Sequence, residues 1–574
     1  MRHITMFRMN IWAGQMVPIM IICCCSKVAA QDDDKAVLAR YRAAAAKSGD
    51  STRGKTVFES QQSGCTKCHA ISGKQRKAGP DLAVIGDKFT RDQMIRAVLE
   101  PSAAIHPDFG TINITTTEGK VINGVLQKRT ESALELLDAE ARLVRIASNE
   151  IEDEQQIKTS LMPGGISKLL KAEQFADLIA YLTTLKQGTS GIRHPGLAEE
   201  IPTVKKTIHL EPLHSEEMRF DHPVWITAVP GTKRAFLVVE QKARKVWRFE
   251  AGDGQRRDRK ELFVDLSAEA STGQFEGVMC LAFHPQFRQN RKYYINHHVR
   301  NQGSHFSPVI IERQATKNLT LDAGISSRRL LQIPQDTDLH WGGMLAFGPD
   351  GYLYIGAGDA GPQEDPQGHG QDLSLLVGKI LRIDVDRRTG ELPYGIPKSN
   401  PYRGAGTKVR SEIWASGFRM PWRFSWDSVT GDMWVGEIGQ NLFEEVSIVR
   451  VGENHGWNVY EAFQGFSDRY RRKGEKYTPP VISYRRKHGV SVTGGYVYRG
   501  KRSKSYYGAY IFSDFESKKI WAARQADRKL LKIRQIGMSP EKPSSFGVDA
   551  DGELFLVGYQ GTIFRVVLDN SVFE

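Results

Sequence analysis

The sequence predicts a multidomain chain: a small, mainly α unit with a β insertion, then a large all-β unit of radially repeated blades. Three observations carry that expectation. The first is Gly64-Cys65-Thr66-Lys67-Cys68-His69, a Cys-x-x-Cys-His attachment signature for a c-type haem. The second is a helical apolar period in Phe175, Leu178, Ile179, Leu182 and Leu185. The third is a pair of short, half-buried strands that recurs roughly six times in the remainder of the chain.

The chain opens on a segment that reads as a secretory signal over residues 1–30. Arg2 and Arg8 supply a positive start, Met16 to Cys25 is mostly apolar, and Val28-Ala29-Ala30 offers small residues for cleavage. That apolar run is too short to span a membrane, so the expectation is an exported, periplasmic or secreted protein with no membrane span. The 574 residues carry a net charge of +13. Removing Arg2, Arg8 and Lys27 leaves about +10, spread among interleaved acids. No basic block with stacking aromatics is present, so nucleic acid is not an expected partner. Of six cysteines, Cys23, Cys24 and Cys25 lie in the leader and Cys65 and Cys68 in the haem signature. Cys280 stands alone in an apolar strand, which predicts a core residue and no structural disulfide.

The haem signature organises residues 48–187. Two thiols at that spacing can each add to a porphyrin vinyl group, and the following imidazole becomes the proximal iron ligand. A redox dithiol would want a βαβ context, and a zinc site would want a second ligand pair; neither is visible. Lys55 to Gln61 reads as the helix feeding the signature, and Gly79-Pro80-Asp81-Leu82 as a turn against the haem edge. Ser160-Leu161-Met162-Pro163 offers Met162 as the distal ligand, in a short loop before the closing helix. Met94 sits in a helical segment, Arg91 to Leu99, and His106 is the rival ligand. Between the ligand motifs, Thr111 to Thr117, Val121 to Gln127 and Ala133 to Leu137 alternate as short strands. The whole pattern resembles a cytochrome c domain of the planctomycete-type haem-binding kind.

Residues 188–204 contain Gly, Ser, Thr and Pro without apolar period and read as a linker. After them the strand pairs begin. Examples are Ala235-Phe-Leu-Val-Val with Lys245-Val-Trp-Arg-Phe, and Gly552-Glu-Leu-Phe-Leu-Val with Gly561-Thr-Ile-Phe-Arg-Val. A sandwich would need fewer strands, so residues 205–570 are expected to form a β-propeller of six blades. Its motifs include Cys280-Leu-Ala-Phe-His-Pro, His340-Trp-Gly-Gly-Met-Leu, Tyr354-Ile-Gly-Ala-Gly-Asp359, Gly417-Phe-Arg-Met-Pro-Trp-Arg423, Glu437-Ile-Gly-Gln440 and Asn454-His-Gly-Trp457. With these motifs, residues 205–570 resemble the glucose/sorbosone dehydrogenase family of soluble quinoprotein propellers. The same fold includes hedgehog-interacting-type propellers, which bind partners.

The resemblance implies a site. His340 falls at the family's catalytic base, Asp359 at the acid that orients it, and Arg419 at a cationic contact to the anionic cofactor. Gly439 and Gln440 fall where backbone carbonyls hold calcium, a hard cation. The implied cofactors are therefore covalent haem c, pyrroloquinoline quinone (PQQ) and Ca2+. The sequence departs from that pattern at Met420, where the glucose-oxidising members carry Asn, and at Gln440, where they carry Pro. The late basic cluster that grips the quinone lands on Glu516, Lys542 and Ser544, only one of which is cationic, with Lys518, Lys519, Arg423 and Arg499 as the compensating cations on offer. The expected function is oxidation of a sugar or sugar aldehyde, with electrons passed to the fused haem and then to a cytochrome or quinone-pool acceptor. The alternative is a non-enzymatic carbohydrate- or partner-binding propeller attached to an electron-transfer cytochrome.

Overall fold

The computed structural model describes residues 25–568 except 48, 72–76, 104, 106–108, 130–131, 158, 187–193, 251–258, 272–275, 301–304 and 336. Most of the expected leader, the rival ligand His106 and the start of the expected linker therefore lie outside the described residues. The chain divides into two compact units. One holds the residues up to Ala83 together with Arg91–Leu185; the other holds Val84–Thr90 and the residues from Lys186 onward.

In the first unit the helix Ser51–Glu59 leads to the haem signature. Asp50 caps it, its carboxylate accepting the Thr52 and Arg53 amides at 2.8 and 2.9 Å. The closing helix Ala172–Thr184 buries Phe175, Leu178, Ile179 and Leu182, the apolar face legible in the sequence. The two helices meet closely because Gly54 has no side chain: a Cβ there would lie 1.9 Å from the Asp177 carbonyl. Arg53 then ties the pair by bonding the Asp177 carboxylate at 2.7 Å. The helix Arg91–Leu99 is found at its expected bounds and buries Met94.

The β insertion has five antiparallel strands, ordered Leu143–Ala147, Ala133–Leu137, Val121–Arg129, Thr111–Thr116, Ile151–Ile157. Only three were legible. Ile151–Ile157 is mostly polar and exposed, so it carries no period of two and is held by backbone pairing with Thr111–Thr116. Ile114, Leu134, Leu136 and Ile146 form the small core of this sheet.

Among its described residues the second unit contains six large sheets, five of four strands and one extended to five, and a two-stranded hairpin of Tyr460–Glu461 with Gln464–Gly465. The six strand pairs seen in the sequence are the two middle strands of these sheets, for example Ala235–Glu240 with Lys245–Glu250 and Leu554–Gly558 with Ile563–Val567. Most of these middle strands are buried along their length, as in Ala235–Glu240, Leu353–Ala357 and Leu554–Gly558, and so carry the strongest apolar signal. The first strands of the sheets are Pro223–Ala228, Val278–Phe283, Leu345–Phe347, Pro421–Trp426, Val492–Val497 and Pro543–Val548. Each sheet packs on the next, and the sixth packs back on the first. The sixth sheet takes its outer strand, His209–Pro212, from the start of the unit, pairing it with Ile563–Val567. That exchange closes a propeller-like ring without a free seam.

Part of the expected linker belongs to this unit. Leu197–Ala198 adds to the fourth sheet, parallel to Ile482–Arg485, and the Ser483 amide bonds the Gly196 carbonyl at 2.7 Å. Two residues of pairing need no side-chain pattern, which is why composition showed only a linker. Cys280 is fully buried in Val278–Phe283, as expected of a core residue. No described helix is long and apolar enough to cross a membrane.

Candidate functional site

At the haem signature, Cys65 to Cys68 form one short helical turn that presents both free thiols half-buried. The His69 ring follows it, with Nδ1 2.8 Å from the Pro80 carbonyl oxygen. That contact fixes the tautomer: Nδ1 carries the proton and donates, and Nε2 keeps its lone pair. Burial pulls the imidazole below its ordinary value, so it is neutral and ready to ligate. Gly79 is required beside it, since a Cβ there would lie 2.5 Å from His69 Cε1. The residues present thus fit a covalently attached haem. Met162 lies half-buried in the loop between Ile151–Ile157 and the turn Ile166–Lys168, its amide donating to Ser160 Oγ at 3.1 Å.

In the second unit, His340 precedes Leu345–Phe347 and Asp359 follows Leu353–Ala357. These adjacent antiparallel strands of the third sheet deliver both residues to the same end of it. His340 Nδ1 lies 2.7 Å from Asp359 Oδ1. On the other side of the ring, Arg419 Nη2 donates to His340 Nε2 at 2.8 Å. A guanidinium has no acceptor, so Nε2 carries the lone pair and Nδ1 the proton. Arg419, just before Pro421–Trp426 of the fourth sheet, also donates to Gln440 Oε1 at 2.9 Å and to the Ile438 carbonyl at 3.0 Å. All four side chains are buried. Burial alone would raise the Asp359 carboxyl, but His340 and Arg419 beside it hold it below the usual carboxylate range.

The backbone is shaped around this cluster. His340 itself has φ +46°, and a Cβ at Gly358 would lie 1.7 Å from the His340 carbonyl. The Asp359 amide bonds the Arg419 carbonyl at 2.7 Å, joining the third and fourth sheets at the site. Two participants were quoted within motifs but given no role from the sequence. Trp457 donates its indole N–H to Asp359 Oδ2 at 2.7 Å, and the Glu437 carboxylate accepts the Arg419 amide. Their signal was the motifs themselves, which show no partner until folded.

The glucose/sorbosone dehydrogenase model matches residues 220–560, and the cytochrome c model matches residues 51–116. The chain belongs to the glucose/sorbosone dehydrogenase family. In this family member the dehydrogenase-type region is fused to an N-terminal cytochrome c domain. The HIPL2 protein of Arabidopsis thaliana is 30% identical over 327 residues, covering 46% of this chain and 47% of the relative. Aldose sugar dehydrogenase YliI of Escherichia coli is 26% identical over 254 residues, covering 44% of this chain and 62% of the relative. The human Hedgehog-interacting protein is 32% identical over 178 residues, 29% of this chain and 25% of that protein. The chain spans about half the length, or less, of most of these relatives. The solved soluble aldose sugar dehydrogenase of E. coli, in its apo form, shares the fold: TM-score 0.52, 20% identity, covering 63% of this chain and 99% of that one.

Family membership frames the remaining expected positions. Lys542 Nζ is paired to both Glu516 oxygens at 2.8 and 2.9 Å, and Ser544 Oγ bonds the Pro223 carbonyl at 2.7 Å. The three positions expected to grip a tricarboxylate are thus neutralised or occupied, and they do not fit that role. At the expected calcium donors Gly439 and Gln440, the Arg419 guanidinium already takes the Gln440 side chain and the neighbouring Ile438 carbonyl. Among the described residues no group of three or more His, Cys, Asp or Glu is placed to hold a metal ion. Carbonyl donors alone would have to hold calcium beside a fixed cation, an unfavourable arrangement.

Proposed function

We propose that this protein is an exported haem c oxidoreductase that oxidises a sugar or sugar aldehyde at the mouth of a six-bladed propeller. The cytochrome domain spans residues 48–187 and the propeller residues 205–570, with Leu197–Ala198 of the connecting residues 188–204 added to its fourth sheet. The observation that carries the reading is the His340 imidazole held between Asp359 at Nδ1 and Arg419 Nη2 at Nε2, an arrangement that puts the ring's lone pair on Nε2. Oxidising a sugar carbinol removes two electrons and two protons. His340 Nε2 accepts the hydroxyl proton, and Asp359 stabilises the imidazolium that results. A substrate hydroxyl at His340 Nε2 would have to replace Arg419 Nη2, and Arg419 would be a cationic contact for an anionic cofactor. When bound, PQQ supplies the two-electron sink, and haem c supplies a one-electron carrier to a downstream acceptor. Tethering supports that pairing, because a fused acceptor acts at high effective concentration.

Haem-loaded protein supplied with calcium and PQQ tests the proposal against a panel of aldoses and sugar aldehydes. The expected outcome is haem reduction that requires both quinone and sugar. His340→Ala should lower that rate by at least about 100-fold, the usual scale of a general base. A retained rate would remove His340 from the mechanism.

A second reading is a carbohydrate- or partner-binding propeller without chemistry, joined to an electron-transfer cytochrome. It is favoured by the Lys542–Glu516 pair, which leaves the quinone's expected cation neutralised. Absence of both haem reduction and quinone binding by calorimetry would select it.

A further inference from the structure

Arg423 lies on the first strand of the fourth sheet, Pro421–Trp426, and only 3% of it is exposed. Its side chain crosses to two other sheets. Nη2 donates to the Val224 carbonyl of the first sheet at 2.6 Å and to the Met279 carbonyl of the second at 3.2 Å. The guanidinium carbon lies 4.2 Å from the ring centre of Trp422 and 5.3 Å from that of Trp225. Nε and Nη1 have no hydrogen-bond partner among the described residues.

A guanidinium carries five N–H donors and stays charged at neutral pH. Burial pulls Arg423 down only to about 10, and the ionisable groups acting on it are the Cys280 thiol and the Tyr496 hydroxyl, with no carboxylate. A buried cation without a counter-charge costs several kcal/mol, and aromatic faces offset only part of that. Arg423 has two carbonyls.

We propose that Arg423 is the base of an anion site between the first strands of the first, second and fourth sheets, taking a single negative charge. The charge could come from two sources, a free monovalent anion or a carboxylate of a larger ligand bound above. Both are compatible with the position. Trp422, stacked on Arg423, donates its indole N–H to the Ser544 carbonyl, and Ser544 Oγ bonds Pro223, next to Val224. The fourth sheet thus delivers a guanidinium into the neighbourhood where the sixth sheet presents an uncharged serine. The site stands apart from the dehydrogenase proposal, because the unpaired charge is present whatever occurs at His340.

Crystals of the full-length protein grown in sodium bromide should show an anomalous peak within hydrogen-bond distance of Arg423 Nε or Nη1. In solution at constant ionic strength, chloride or bromide should raise Tm by several degrees, saturably, relative to gluconate, and Arg423→Gln should lose that rise. Adding PQQ separates the sources. A tenfold or greater loss of apparent bromide affinity identifies a ligand carboxylate at Arg423, and an unchanged affinity identifies a free anion. The proposal is overturned by the absence of a bromide peak, equal melting in chloride and gluconate, and equal quinone affinity in wild type and Arg423→Gln. Should Arg423→Gln fail to fold, the wild-type bromide and gluconate comparisons decide the matter alone.

Discussion

Glu437 shows how single residues set the behaviour of the site. It is buried, accepts the Arg419 amide, and burial pushes its carboxyl up to about 8 from an ordinary 4.5. Between those values the folded protein holds a proton that the unfolded chain has released. The folded state therefore binds more protons in that window, and this group's contribution to stability falls as pH rises through it. Urea unfolding between pH 5 and 8 should show that decline, and Glu437→Gln should remove roughly 2–4 kcal/mol of it. An unchanged slope would assign the pH dependence to other groups. His340, Asp359 and Arg419 were legible because each sits in a motif by which the sequence resembles the family. Trp457 was not assigned a role, because a buried tryptophan in a motif looks like core until its N–H is seen on Asp359.

Individual elements divide by how they are stabilised. The helix Arg91–Leu99 and the apolar face of Ala172–Thr184 were readable because each repeats a core contact every three to four residues. Edge elements such as Ile151–Ile157 and Leu197–Ala198 are held by backbone pairing to partners distant in sequence, so no local pattern announces them. The Met162 loop is an intermediate case. Gly165, with φ +81°, and Ser160, accepting the Met162 amide, give it a defined turn before the closing helix. If that turn presents the thioether to the haem iron, Met162→Ala should abolish the weak near-infrared band of Met-ligated ferric haem and lower its potential. A retained band would exclude Met162 as the ligand.

Across the large unit, closure is the governing feature. His209–Pro212 pairs with Ile563–Val567, so strands more than 350 residues apart complete one sheet. Leu210 packs against the core around Phe564 and Val566. Leu210→Asp should place a carboxylate on that core and destabilise the protein by at least about 2 kcal/mol, read as a lower urea midpoint. An opened seam would also expose a pairing edge, so the variant should self-associate on warming. A variant with wild-type stability and no association would show that this strand is not needed to hold the ring.

The sequence by itself determined the haem attachment, the two-part organisation, the repeated middle strands and the identities of His340, Asp359 and Arg419. The first three follow from local rules of spacing or period, which survive whatever the rest of the chain does, and the three site positions were implied by resemblance to the family. Tertiary structure decided which charges are spent on one another. Lys542 is neutralised by Glu516, Arg419 is shared among His340, Gln440 and Ile438, and Arg423 is buried without a counter-ion. Those outcomes depend on residues brought together from different sheets. Burial then sets how strongly each charge needs a partner, and no linear pattern encodes that.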